Sequence, residues 1–126
     1  MYNAARIAKT NMSNHDFRVG VYLETDSYGL TYGNVAHDNS RLTMCAETLA
    51  LIVAKGSKLE PKHMHLTTDS EDIVFPCGMC RQYMSEWPKL KITIYNCDGT
   101  KKITKTVNQL LPNPFKRDRI QNGKKQ

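Results

Sequence analysis

No stretch of this 126-residue sequence stays apolar for longer than Leu49 to Ala54, whereas a helix crossing a bilayer needs about 20 such residues. The first residues lack the charged-then-apolar pattern of a secretory leader. Internal repeats, linkers and a Gly-rich phosphate-cradling loop are also missing. Apolar residues make up 40% of the chain and charged residues 24%, an ordinary balance that excludes a collagen or a low-complexity chain. These absences predict a soluble, cytoplasmic protein with one domain over residues 1–115 and no membrane partner.

Acidic residues are in deficit. Lys and Arg number 18 against 12 Asp and Glu, a formal charge of +6. Residues 116–126 carry five basic side chains and one acid, so +4 of that charge sits in the tail. A basic tail is first read as a solvated terminus, and second as a contact for nucleic acid or an anionic surface. The tail lacks the interleaved aromatics that stack on bases. The chain also has little length from which to build a strand channel, which argues against a polynucleotide partner.

The hydrophobic pattern predicts a helix over 4–12 and a strand over 17–25, with Phe17, Val19, Val21 and Leu23 on one face. A turn at 26–29 leads to a returning strand over 30–35 and a polar loop over 37–41. Thr43 is a candidate cap for a helix over 44–55, apolar almost all round and therefore expected to be buried, ending at Gly56. Strands follow over 63–68, 91–96 and 102–107, with a helix over 77–86 and a turn at Asp98-Gly99. Residues 109–111 read as a turn. Interleaved helices and strands predict a mixed sheet covered by helices on two faces.

Four cysteines stand at positions 45, 77, 80 and 97. In a reducing compartment a close pair points to metal or redox chemistry rather than to disulfides. Cys45-Ala46-Glu47 and Pro76-Cys77-Gly78-Met79-Cys80 both fall at predicted helix starts, where the helix dipole favours thiolate, the form that binds zinc. Three protein ligands, Cys45, Cys77 and Cys80, leave the fourth tetrahedral position open, as catalytic zinc sites do. Glu47 is then a carboxylate beside the metal but not on it, suited to moving protons. A non-ligand Glu with a P-C-x-x-C pair is the design of zinc deaminases. Two other readings stay open. One is a thioredoxin-like C-x-x-C, which leaves Cys45 and Glu47 unexplained. The other is a closed structural zinc site, with Cys97, His37, His63 or His65 as fourth ligand and a nucleic-acid-binding role. Taken alone, Phe17, Phe115, Tyr83, Met84 and Trp87 read as packing residues.

The sequence resembles the small cytidine deaminases over nearly its full length. The resemblance rests on Phe17-Arg18-Val19-Gly20, Gly33-Asn34-Val35, the stretch from Leu42 through Cys45-Ala46-Glu47, Pro76-Cys77-Gly78-Met79-Cys80-Arg81-Gln82, and Leu110-Leu111-Pro112-Asn113-Pro114-Phe115. It implies a three-layer α/β/α sandwich around a five-stranded mixed sheet, one zinc ion per chain and a homotetramer whose subunits complete each other's sites. The implied reaction is hydrolytic deamination at C4 of the cytosine ring of a nucleoside, with Glu47 carrying protons to N3 and to ammonia. By the same resemblance Phe17 packs on the substrate and Asn34 bonds the ribose. The Ala46 and Cys77 backbone amides face the ring and the attacking water, and Phe115 of a neighbouring subunit covers the base.

Two positions depart from the family pattern. Ala36 stands where a ribose-binding Glu is usual, and losing one such charged hydrogen bond costs on the order of 1.5–3 kcal/mol. Thr48 stands where an Arg commonly donates to the cysteine sulfurs, leaving Arg81 as the candidate to offset the charge of three thiolates. Asn34-Val35-Ala36-His37 and the missing Arg also resemble blasticidin S deaminases, which makes a cytosine nucleoside antibiotic the alternative substrate.

Overall fold

The computed structural model describes residues 1–14, 16–36 and 43–115. The expected loop over 37–41 and the basic tail over 116–126 lie outside the described residues. Helix α1 spans Tyr2–Met12, strand β1 Val19–Thr25 and strand β2 Gly29–Gly33. Short strands β3 (Val35–Ala36) and β4 (Thr43–Met44) precede helix α2 at Ala46–Gly56. Then come β5 (Pro61–Thr68), α3 (Gly78–Met84), β6 (Lys91–Tyr95), β7 (Lys102–Thr106) and α4 (Val107–Leu110).

The main sheet has the order β2-β1-β5-β6-β7. Strands β5 and β6 run parallel, and the other neighbours are antiparallel. Alternation along the central strands separates the two faces. Val21, Leu23, Met64, Leu66, Ile92 and Ile94 point to one face and form the core with Ala50, Leu51, Ala54 and Met84 of α2 and α3. Helix α1 lies on the opposite face, over β1, β2 and β5. Its close approach depends on Gly20, where a β-carbon would stand 2.1 Å from the Ala5 carbonyl oxygen. The result is the expected three-layer α/β/α sandwich with a five-stranded mixed sheet.

Several boundaries differ from expectation for local reasons. Thr43 does not cap α2: it pairs through β4 with Ala36, and Cys45 is the N-cap. Helix α2 is not buried all round. It packs one side on the sheet and leaves Ile52 40% exposed on the other. The strand expected through Val107 stops at Thr106, where a capping box starts α4 instead of a plain turn. Thr106 Oγ1 accepts from the Gln109 N–H at 3.3 Å, and Gln109 Oε1 accepts from the Thr106 N–H at 2.9 Å. The expected turn at Asp98-Gly99 is present, with Gly99 at φ 79°, the left-handed region that glycine tolerates. Among the described residues no helix is long and apolar enough to cross a membrane.

Candidate active site

Two helix starts meet above the end of β5. Cys45 is the N-cap of α2 and Cys77 the N-cap of α3, and Cys80 sits in the first turn of α3. Neither cap residue makes a side-chain capping bond, which leaves both thiols free to turn toward each other. The three Sγ atoms lie within 4.8 Å of one another, and all the cysteines are unbridged. Three convergent sulfurs, one fully buried, are the donor set a zinc ion takes. His63 and His65 point to the other face of the sheet, so neither completes this group. Cys97 is not part of it among the described residues, and His37 lies outside them.

Glu47 follows Cys45 by two positions and is only 5% exposed. Its Oε2 lies 3.2 Å from Cys80 Sγ and accepts a hydrogen bond from the thiol. Burial pushes the Glu47 carboxyl up from its ordinary value, and the Cys80 contact only partly offsets that. A carboxyl shifted toward neutrality both accepts and returns protons. Thr48 donates its hydroxyl to Cys80 Sγ at 3.3 Å, the one neutral hydrogen bond expected of it.

The thiols correct one expectation. Helix position was expected to favour thiolate at both starts, yet burial raises Cys45 and Cys80. At Cys77 burial also raises the thiol, but bonds from the Cys80 and Met79 backbone outweigh it and the net shift is downward. At Cys45 and Cys80 loss of solvation exceeds a helix-dipole effect that is usually below about 1 kcal/mol, whereas Cys77 keeps the expected direction. Arg81 does not compensate through the sulfurs. Its Nε donates to the Pro76 carbonyl at 2.7 Å and a terminal nitrogen donates to the Leu110 carbonyl at 3.2 Å, while the guanidinium lies over the Phe75 ring. It fastens the loop before α3 to the end of α4.

Beside the thiols opens an apolar cleft of about 180 Å³, lined by Phe17, Asn34, Ala46, Glu47, Cys45 and Cys77 among the expected residues. Val19, Leu66, Thr68, Val74, Phe75 and Pro76 complete it. Of these six only Val19 and Pro76 stood in a quoted motif; strand β5 and the chain leading to α3 bring the other four there. Phe17 is 40% exposed at the rim and Ala46 is fully buried.

Asn34 does more than line the cleft. Its Oδ1 accepts from the Val19 N–H at 2.9 Å and from the Ser13 hydroxyl, and its Nδ2 donates to the Phe17 carbonyl at 2.8 Å. The neighbouring Arg18 is fixed to Asp69 through its backbone N–H at 2.8 Å and through its guanidinium. Lys9 of α1, nearly buried, donates to the Thr68 carbonyl at 3.1 Å and pairs with Asp69. Phe115 is not in its own chain's cleft. It is 63% exposed, and its backbone is gripped by the Gln82 side chain, which accepts from its N–H and donates to its carbonyl. The Gln82 grip was not foreseen, since a long-range side-chain contact leaves no mark on local pattern.

A buried carboxyl beside three converging thiols, on a five-stranded mixed sheet between helix layers, defines a zinc-binding hydrolytic deaminase. Residues 1–96 match the family model described as the cytidine and deoxycytidylate deaminase zinc-binding region, and the chain belongs to that family. It is 31% identical over 106 residues to a cytidine deaminase of Sporosarcina psychrophila, covering 81% of this chain and 77% of that protein. Among solved structures, cytidine deaminase from Burkholderia pseudomallei aligns at a TM-score of 0.81 and 27% identity, over 90% of this chain and 94% of the other. Cytidine deaminase from Mycobacterium leprae aligns at 0.67 and 28%, over 88% and 93%.

Proposed function

We propose that this chain deaminates free cytidine and deoxycytidine to uridine and deoxyuridine with release of ammonia, as a step of pyrimidine salvage in the cytoplasm. Glu47 carries the reading: a nearly buried carboxyl at the floor of an apolar cleft, 3.2 Å from a thiol of the three-cysteine group. Cys45, Cys77 and Cys80 hold the zinc, which when bound supplies Lewis acidity at that end of the cleft. Glu47 takes a proton from the attacking water and delivers it to ring N3, then takes the remaining proton of the added hydroxyl and passes it to the amine, which departs as ammonia. The Ala46 amide faces the ring and Phe17 packs against it. Asn34 keeps one Nδ2 hydrogen beyond its bond to Phe17 for a sugar hydroxyl.

The protein works as a homotetramer, with Phe115 of a neighbouring copy covering the base. The exposure of Phe115 together with Ile52 and Met79 supports this assembly. Residues 1–115 form the catalytic domain and 116–126 a basic tail.

A cytosine nucleoside antibiotic such as blasticidin S is the second reading, favoured by Ala36 and by Thr48 at the cysteine cluster. Ultraviolet monitoring of zinc-loaded protein with cytidine, deoxycytidine and blasticidin S in parallel tests both. Turnover of the natural nucleosides is the expected result. Turnover of the antibiotic alone keeps the chemistry and replaces the substrate. Silence with all three overturns the proposed substrates.

A further inference from the structure

The sheet has a second face, and the cleft uses none of it. There Glu24 of β1 stands opposite His63 of β5, and His65 follows two positions along the same strand. Strand residues two apart point the same way, so a His-x-His pair with a cross-strand carboxylate presents three ligand groups together. One ligand atom from each lies within 4.8 Å of the other two. His65 Nε2 and Glu24 Oε1 are 3.8 Å apart.

His65 is the unusual member. It is 6% exposed, and its Nε2 is buried with no hydrogen-bond partner among the described residues. Its Nδ1 lies 3.1 Å from the Tyr95 hydroxyl. When Nδ1–H donates to that oxygen, Nε2 carries a bare lone pair facing Glu24. Metal-binding imidazoles are commonly held this way, through the nitrogen that does not bind. Burial keeps both rings in the neutral form that binds metals: it lowers His63 and brings His65 down to about 4.

We propose that Glu24, His63 and His65 form a second metal site, on the sheet face opposite the thiols, for a divalent first-row transition ion of the zinc class. Two imidazoles and one carboxylate suit zinc or cobalt rather than the all-oxygen shells of calcium and magnesium. Ligands on a tetrahedral ion with bonds of about 2.0–2.1 Å lie roughly 3.3 Å apart, so His65 and Glu24 close by a small side-chain shift.

His63 moves further. Its ring stacks on His65 with centroids 4.1 Å apart and planes 16° apart, and each lone pair lies in its own ring plane. Sharing an ion turns His63 out of the stack and releases its 2.6 Å contact with the Thr93 hydroxyl. His63 and Glu24 are only half-buried, which leaves room for that turn. Lys91 beside His63 and the Met1 ammonium beside His65 oppose a cation, and the Glu24 carboxylate offsets part of that charge. The ion is therefore held less tightly than one bound by three thiolates and exchanges more readily.

The test is titration with Co²⁺ of protein holding one zinc per chain, which the three thiols take first. The expected result is one further equivalent bound per chain. It should show visible d–d absorption without a thiolate-to-cobalt charge-transfer band, and broadened ring-proton resonances for His63 and His65. Glu24→Gln and His63→Asn should each weaken this binding by at least the roughly 10–100-fold that losing even an outer partner of a ligand costs. Their zinc content and nucleoside turnover should stay at the wild-type level, and circular dichroism checks that both fold. No uptake of Co²⁺, uptake seen only as a thiolate charge-transfer band, or undiminished uptake in the double variant each overturns the site.

Discussion

The two faces of one sheet carry two polar groups built by opposite means. The thiol group is assembled from residues 32 positions apart in the chain, Cys45 and Cys77, each delivered by a helix start. The Glu24, His63 and His65 group comes from two paired strands, its histidines two residues apart. Helix starts supply converging side chains and leave an open cleft beside them. The strand face supplies side chains fixed by the pleat and covered by neighbouring rings. One face thus opens a cleft that can admit a molecule, while the other buries His65 between a half-buried Glu24 and His63.

The comparison breaks most sharply at Glu47. Glu47→Gln should retain zinc and fold yet lose about 10²–10⁴-fold in turnover, read by ultraviolet assay and metal analysis on the same sample. Substantial residual activity would remove its acid–base role.

The strand face should respond to acid instead. Burial depresses the folded-state value of His65 to about 4, below the value near 6.5 of an exposed imidazole. Between those values the unfolded chain binds the proton and the folded chain does not. The contribution is therefore complete above pH 6.5 and is lost as pH falls toward 4. Denaturation midpoints across that window should slope less in His65→Gln than in wild type. Effects common to both proteins, such as release of zinc from the thiols, cancel in the difference.

A smaller effect sharpens the thiol side. Thr48→Val removes the hydroxyl bond to Cys80 at little change in volume and should cost about 0.5–1.5 kcal/mol by chemical denaturation. Smallest of all is Cys97→Ser, expected to leave the thiol-bound zinc in place. Its loss would instead make Cys97 a ligand of a closed structural site.

Legibility in the sequence follows the same division. The Cys-Ala-Glu and Pro-Cys-x-x-Cys motifs are compact, so the thiol group and its carboxylate could be read before any fold was known. The sheet was legible because Val19, Val21 and Leu23 alternate and because Asp98-Gly99 marks a turn. The histidine group was not. His63 and His65 drew attention only as possible partners for the cysteines, since their meaning depends on the register that sets Glu24 opposite His63. The Arg81 charge failed to reach the sulfurs because two backbone carbonyls, one in the loop before α3 and one at the end of α4, claim it first. Thr106-x-x-Gln109 was a legible helix start that the preceding strand pattern obscured.

Gly20 is not among the residues that line the cleft beside the thiols, yet it limits how the sequence can drift. An alanine methyl there would meet the Ala5 carbonyl oxygen at 2.1 Å and the Lys9 backbone nitrogen at 2.4 Å, both in the helix backbone, which cannot yield locally. Helix α1 would have to lift as a body, taking with it the Lys9 ammonium that grips the Thr68 carbonyl at the edge of the cleft. A lineage of such proteins could exchange many rim residues one at a time. It could change this glycine only together with the helix above it.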